Sequence, residues 1–230
     1  MSNLEFRQLN QKIRFKERKF KFSQNQVDFL KTALDEKTKL MFLAGPAGTA
    51  KTYMAVYSAL QSIISSDLEK GVLYIRSIAE SSQRSLGSLP GSIDEKFGVF
   101  AGPFYDKLDE MLNSQDIKLL RDKKQFECMP VNFVRGANWN DTIIIIDEAQ
   151  NFTHNELMTV LTRIGEDSKI IICGDMMQSD IRNSGFSNIF GAFDDEESKE
   201  KGIHCTTFGT EDIKRSEILK FIVKKLEDKI

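Results

Sequence analysis

Short unbroken apolar runs punctuate the chain. The clearest are Leu40-Met41-Phe42-Leu43-Ala44, Gly71-Val72-Leu73-Tyr74-Ile75-Arg76, Thr142-Ile143-Ile144-Ile145-Ile146-Asp147-Glu148 and Lys169-Ile170-Ile171-Ile172-Cys173. Runs of this length without alternation are what strands buried on both faces look like, as in a parallel sheet. A further strand is expected over Ile203 to Phe208. Between the runs the spacing is helical. Val27, Leu30 and Leu34 form the stripe of a helix opening at Ser23 and running to about Asp35. Others are expected over Tyr53 to Ile64, over the stripe Leu157, Val160, Leu161 and Ile164 up to Gly165, and from about Thr210 to Lys229. Strands alternating with helices predict an α/β fold with a mostly parallel central sheet flanked by helices. Residues 1–22 read as an extended, basic lead-in, with inward alternation at Ile13-Arg14-Phe15-Lys16 and Phe20-Lys21-Phe22. Residues 23–230 read as one domain. Its least regular part, 77–140, carries Gly87, Pro90, Gly91, Gly98, Gly102 and Pro103 and is expected to be an insertion crossing the sheet edge. Helices are expected there at Pro103–Leu112 and Ile117–Lys123, then a short strand at Val131–Val134 ending in Arg135-Gly136.

The polar residues at the ends of these runs carry the chemistry. The first run leads into Gly45-Pro46-Ala47-Gly48-Thr49-Ala50-Lys51-Thr52 and then Tyr53, the start of a helical pattern. Strand, Gly-rich turn and a helix opening on Lys-Thr is the context of a phosphate-binding P-loop. Backbone N–H groups of such a turn point at anionic oxygens, and the helix N-terminus adds partial positive charge at the same place. Lys51 is then positioned for the β- and γ-phosphates, and Thr52 for Mg²⁺. The strict pattern asks for glycine where this chain has Ala50, and a methyl there restricts the backbone.

Asp147 and Glu148 close the isoleucine run. With a P-loop upstream, Asp147 reads as a Mg²⁺ partner and Glu148 as the group that polarises attacking water; without one, both merely end a strand. Gln178, beyond Gly174-Asp175, is a candidate γ-phosphate contact, or else Asp175 simply makes a turn hydrogen bond. Gln26 has two readings, the second half of a capping box with Ser23 or a contact to an adenine edge. Thr153 and Glu156 fit a capping box, His154 reads as an exposed helix-start residue and not a catalytic base, and His204 reads as structural. Arg163, late in a helix, suits the helix dipole, whereas Arg215, early in the last one, is unfavourable for it and points to another role.

Composition narrows the class. At 230 residues, 40% hydrophobic and 29% charged, the chain suits one soluble domain with a full core. No apolar stretch is long enough for a membrane span, the N-terminal residues lack the apolar core of a secretory signal, and a cytoplasmic location is expected, the host's if the chain is phage-encoded. Cys128, Cys173 and Cys205 fit neither a disulfide framework nor a zinc site. Net charge is −2, yet Arg7, Lys12, Arg14, Lys16, Arg18, Lys19 and Lys21 face Glu17 alone in the lead-in. That cluster suits a nucleic-acid backbone or, equally, an edge kept from aggregating by lysines. The acidic stretch 194–200 argues against nucleic acid at that spot.

Six motifs agree in order: GPAGTAKT (45–52), SLGSLPGSIDEKF (85–97), FVRGANWND (133–141), IIDEAQN (145–151), LTRIG (161–165) and CGDMMQSD (173–180). Together they resemble the PhoH-like ATPase family over roughly residues 23–225, in its minimal, phage-borne form. The Asp147-Glu148-Ala149-Gln150 and Gly174-Asp175-x-x-Gln178 segments are also similar to the core of superfamily 1 helicases, of which one copy is present here. The resemblance implies a RecA-like P-loop core, ATP and Mg²⁺ as cofactors, and hydrolysis of ATP. It implies assembly into a ring, expected to be a hexamer, and motor-like or remodelling action on RNA or single-stranded DNA. A slow, nucleotide-controlled assembly switch with protein partners is the alternative. It implies that Gln26 contacts adenine, and it makes Arg215 and Arg163 candidates for a charge-offsetting arginine acting across a subunit interface. Ala50, and Arg76-Ser77 where the family often has Arg-Pro, depart from the family pattern.

Overall fold

A computed structural model describes residues 13–66, 69–77, 93–134 and 138–227, with the backbone alone at 93–100 and 227. Motif residues 85–92 and 135–137, the basic residues before Ile13, and Lys229 lie outside the described residues. Six strands form one sheet: β1 Leu40–Ala44, β2 Gly71–Arg76, β3 Phe126–Pro130, β4 Thr142–Asp147, β5 Lys169–Gly174 and β6 Ile203–Thr207. Their order is β3-β2-β4-β5-β1-β6, and every neighbouring pair is parallel. The helices are α1 Gln24–Leu34, α2 Lys51–Ser65, α3 Ile93–Met111, α4 Ser114–Asp122, α5 His154–Leu161, α6 Phe186–Phe193, α7 Glu196–Glu200 and α8 Glu217–Glu227.

The isoleucine run explains itself once both faces are seen. Ile143 and Ile145 enter one core with Phe29 of α1, Met54 and Ile63 of α2 and Phe104 of α3. Ile144 and Ile146 enter the other, with Leu157 and Val160 of α5 and Phe186 of α6. Successive side chains of a strand point to opposite faces, so a doubly covered strand must be apolar throughout. The lead-in makes no sheet pairing among the described residues, but its alternation holds: Ile13 is buried, and Phe15, Phe20 and Phe22 pack on the first core while the intervening basic residues are exposed.

Several local expectations change. The buried stripe of α1 is Gln26, Phe29 and Ala33, and Leu34 is exposed. Pro103 lies inside α3 and does not begin a helix. The strand expected at Val131–Val134 is a 3₁₀ turn at Val131–Phe133, and the paired strand is β3 just before it. Pro130 ends β3, an edge strand, where a missing N–H is tolerated. α5 stops at Leu161, before Gly165. Part of the acidic stretch is helical, as α7 capped by Asp195. The last helix starts at Glu217, so Arg215 lies before it in a connecting stretch that follows a 3₁₀ turn at Thr210–Asp212. That stretch is held away from helical pairing because the Lys214 N–H bonds to the Gly48 carbonyl at 2.9 Å. Along α8, Val223 is buried while Ile218, Phe221, Ile222 and Leu226 are exposed.

The turn between β1 and α2 takes two left-handed residues, Gly48 at φ +85° and Ala50 at φ 64°, ψ 28°. Glycine occupies that region freely, whereas an L side chain pays about 1–2 kcal/mol there. Ala50→Gly should therefore raise stability by up to about 1 kcal/mol, the relieved strain being partly offset by the freer unfolded chain. Chemical denaturation measures this; a destabilised variant would mean that the packing of the Ala50 methyl on the core outweighs its backbone strain.

Candidate functional site

Parallel strands align their C-terminal ends, and ligands of such sheets gather there. At that edge β1 runs into the Gly-rich turn, β4 ends at Asp147, β5 at Gly174, and β2 at Arg76, the register partner of Asp147. Between them lies a cleft of about 500 Å³. Its lining includes Ala47, Gly48, Ala50, Lys51, Thr52, Tyr53, Asp147 and Glu148. The sequence-predicted turn and the two carboxylates thus share one cavity.

The turn is tied down from several sides. Thr49 is buried and donates from its hydroxyl to the Pro46 carbonyl at 2.9 Å. Lys51 folds back, its Nζ donating to the Gly45 and Pro46 carbonyls at 2.6 and 3.0 Å. A Cβ on Gly45 would sit 2.9 Å from the Phe208 carbonyl, so the backbone comes closer there than a side chain allows. α2 opens at Lys51 and presents its N-terminus to the cleft.

Asp147 is only 3% exposed. Its Oδ1 accepts from the Thr52 hydroxyl at 2.9 Å and its Oδ2 from the Tyr74 hydroxyl at 2.6 Å. Burial, and then the neighbouring carboxylate, push the Tyr74 phenol far above its ordinary pKa, so it stays a neutral donor. Glu148 has a left-handed backbone, φ 55° and ψ 45°, unusual for a glutamate. Such strain recurs at functional positions, where surrounding structure enforces it. Its Oε2 accepts from Gln150 Nε2 at 2.6 Å, and its Oε1 lies 3.8 Å from an Arg76 guanidinium nitrogen. The Gln150 side-chain oxygen Oε1 accepts the Asp175 N–H at 2.9 Å, joining the ends of β4 and β5. Cys173 lines the cleft fully buried, and burial holds its thiol well above the usual range. Burial likewise pushes Cys128 and Cys205 up to about 12, so the three thiols stay protonated at neutral pH.

Four sequence-based candidates sit differently from expectation. Gln26 is fully buried and makes the capping box with Ser23, accepting its N–H at 3.0 Å. Its amide nitrogen donates to the carbonyls of Thr49 and Asp212 at 3.0 and 3.2 Å. Both amide protons are spent, which leaves no donor for an adenine edge. Gln178 is exposed and outside the cleft lining, because Asp175 turns the chain by accepting the Met177 N–H; the glutamine in the cleft is Gln150. Arg215 lines the cleft of its own chain, its Cδ 3.5 Å from where a Gly48 Cβ would be, so it does not need a neighbouring subunit to reach the turn. Arg163 is at the opposite edge of the sheet, its carbonyl accepting the Trp139 N–H before β4 begins. Tyr74, Gln150 and Phe20 are cleft or carboxylate neighbours that sequence reasoning passed over. Two signals were available: Tyr74 shares a strand face with Arg76, and Gln150 closes the Asp147-Glu148-Ala149-Gln150 segment.

One strand, β5, separates the strand that feeds the turn from the strand that ends in the carboxylates. A parallel sheet with this order, this turn and this carboxylate pair is a RecA-like P-loop core. The chain belongs to the PhoH-like family: the family model "PhoH-like protein" matches residues 20–227. It is 34% identical over 191 residues to the PhoH-like protein of Mycobacterium tuberculosis (strain ATCC 25618 / H37Rv), covering 83% of this chain and 53% of that protein. It is 32% identical over 196 residues to Protein PhoH of Escherichia coli K12, with 83% and 53% covered. With the PhoH-like protein of Bacillus subtilis it shares 37% identity over 146 residues, 64% of this chain and 45% of that one. The chain therefore spans about half the length of the curated relatives it matches. Among solved structures, Pif1 helicase from Candida albicans aligns with a TM-score of 0.40 at 18% identity, over 83% of this chain and 40% of that one.

Tyr74→Phe removes one of two donors to a buried carboxylate. It should lower stability by about 1.5–3 kcal/mol, the range for hydrogen bonds to charged groups. The midpoint of urea unfolding, compared with wild type, reads this directly; an unchanged midpoint would mean that the phenol adds nothing to holding Asp147.

Proposed function

We propose that the chain binds ATP with Mg²⁺ and hydrolyses it, acting on RNA or single-stranded DNA as part of a ring. The observation that carries the nucleotide part is the contact between the Thr52 hydroxyl and Asp147 at the mouth of the turn. Mg²⁺ is bound through one or two protein oxygens with waters and phosphate oxygens making up the rest, and this hydroxyl–carboxylate pair fits that demand. When bound, the ion neutralises charge on the phosphates. Backbone amides of the turn and Lys51 would hold the phosphates, Lys51 exchanging its two carbonyl partners for phosphate oxygens. Glu148 accepts a proton from, or orients, the attacking water. Arg215 offsets transition-state charge from within the chain, and Arg163 remains the candidate from a neighbouring copy.

The nucleic-acid part rests on the exposed Arg14, Lys16, Arg18, Lys19 and Lys21 of the lead-in. Assembly is supported by the exposed apolar side chains of α8, Ile218, Phe221, Ile222 and Leu226, which a lone domain seldom leaves together in water. The same face favours a second reading, a slow nucleotide-controlled assembly switch.

Glu148→Gln should keep ATP affinity within a few-fold and cut turnover by about 10²-fold or more, the scale of general-base catalysis. Steady-state phosphate release and equilibrium binding, measured together, test it; unchanged turnover would remove Glu148 from the chemistry. Sedimentation should give a mass several times the 26.2 kDa of one chain when ATP is present, and Phe221→Glu should reduce it. A monomer under all conditions would leave the ring without a basis.

A further inference from the structure

The cleft has two chemically different ends. Asp147, Glu148 and Gln150 mark one, where Thr52 meets Asp147. Tyr53 follows Thr52 along α2, and there the lining is aromatic, with Lys107 and Glu110 of α3 also lining the cleft. Phe20 of the lead-in stands edge-on to Tyr53 with ring centroids 5.0 Å apart. Phe22 and Tyr57 continue the cluster behind them, at 5.9 Å from Phe20 and 6.2 Å from Tyr53. Glu110 of α3 lies close enough to Tyr53 to raise its pKa, though less than burial and Tyr57 do. It is already paired with Lys107 on the same helix.

Phe20 is unlike its neighbours in the lead-in. Ile13, Phe15 and Phe22 go to the core, whereas Phe20 packs on the core and also lines the cleft. Meanwhile Gln26, the side chain that would read a base edge, is buried with both amide protons engaged. The far end of the cleft thus offers an aromatic surface, without the amide that could tell one purine from another.

We propose that Phe20 is the platform on which the nucleotide base stacks, and that the site takes nucleoside triphosphates with little preference between adenine and guanine. This rests on the nucleotide-binding reading above. Every base has a π-face, so stacking holds a base without reading its edge. It also gives the lead-in a function: without it the turn and carboxylates would stand, but the base would have no wall.

The test measures binding of ATP, GTP and inorganic tripolyphosphate to wild type, Phe20→Ala and Phe20→Trp. Wild type should bind ATP and GTP within about fivefold of each other, since no engaged amide discriminates them. Phe20→Ala should weaken both by about tenfold or more, the fold-change expected for losing one stacked base, and should leave tripolyphosphate unchanged. Phe20→Trp should keep both nucleotides. Unchanged ATP affinity in Phe20→Ala would overturn the platform, and a parallel loss of tripolyphosphate would show Phe20 to be structural only. A hundredfold preference for one purine would overturn recognition by stacking. Failure of wild type to bind any of the three would instead overturn the nucleotide reading, and the platform with it.

Discussion

A carboxylate at 3% exposure is costly unless its lone pairs are met. Asp147 meets that demand with two hydroxyls from two different elements, Thr52 on α2 and Tyr74 on β2. The rest of the cleft depends on this arrangement. It fixes how the first turn of α2 sits over the end of β4, and so where the Gly-rich turn faces. It also fixes Tyr74, whose ring reaches Phe104 of α3 at 5.2 Å and carries the same constraint into the core. Without these donors the buried carboxylate would have its lone pairs unmet, at the cost that any unpaired buried polar group carries.

Much of this was legible in the chain, for a physical reason. Residues 40–44, 142–147 and 169–174 could be read as strands because burial on both faces leaves no polar alternation to confuse them. The turn and the Asp147-Glu148 pair could be read because backbone geometry and strand ends fix where short polar segments point. What sequence could not supply were contacts across the fold. Tyr74 looked like one more apolar strand residue until Asp147 was placed beside it. Gln150 and Gln178 are chemically identical, and only the turn after Asp175, which carries Gln178 outward, tells them apart. Arg215 was misplaced for a similar reason: the helical pattern continues back to Thr210, but the bond from Lys214 to Gly48 overrides it. Gln26 shows how two correct-looking signals compete, since one amide cannot be both fully bonded inside and open to a base.

The two left-handed residues of the site that are not glycine, Ala50 and Glu148, differ in meaning. At Ala50 the conformation is what the turn requires and the side chain is incidental. At Glu148 the side chain is the point, and the backbone aims it. Strain at the first position is a cost of sequence; at the second it holds a carboxylate in a direction that a relaxed backbone would not choose. The buried Cys173 thiol, donating to the Lys51 carbonyl at 3.8 Å, adds a polar contact beneath the turn without adding a reactive group.

Gln150 bonds the Glu148 carboxylate with one end of its amide and the Asp175 backbone with the other. Its own carbonyl accepts the Ser179 hydroxyl, and next to it Asn151 exchanges two bonds with Asp180. The carboxylate and the loop after β5 therefore share one rigid amide plane. A movement of the loop that breaks the Asp175 bond therefore frees one end of the amide whose other end holds Glu148. The direction of the Glu148 carboxylate is thus set in part by a loop that follows a different strand.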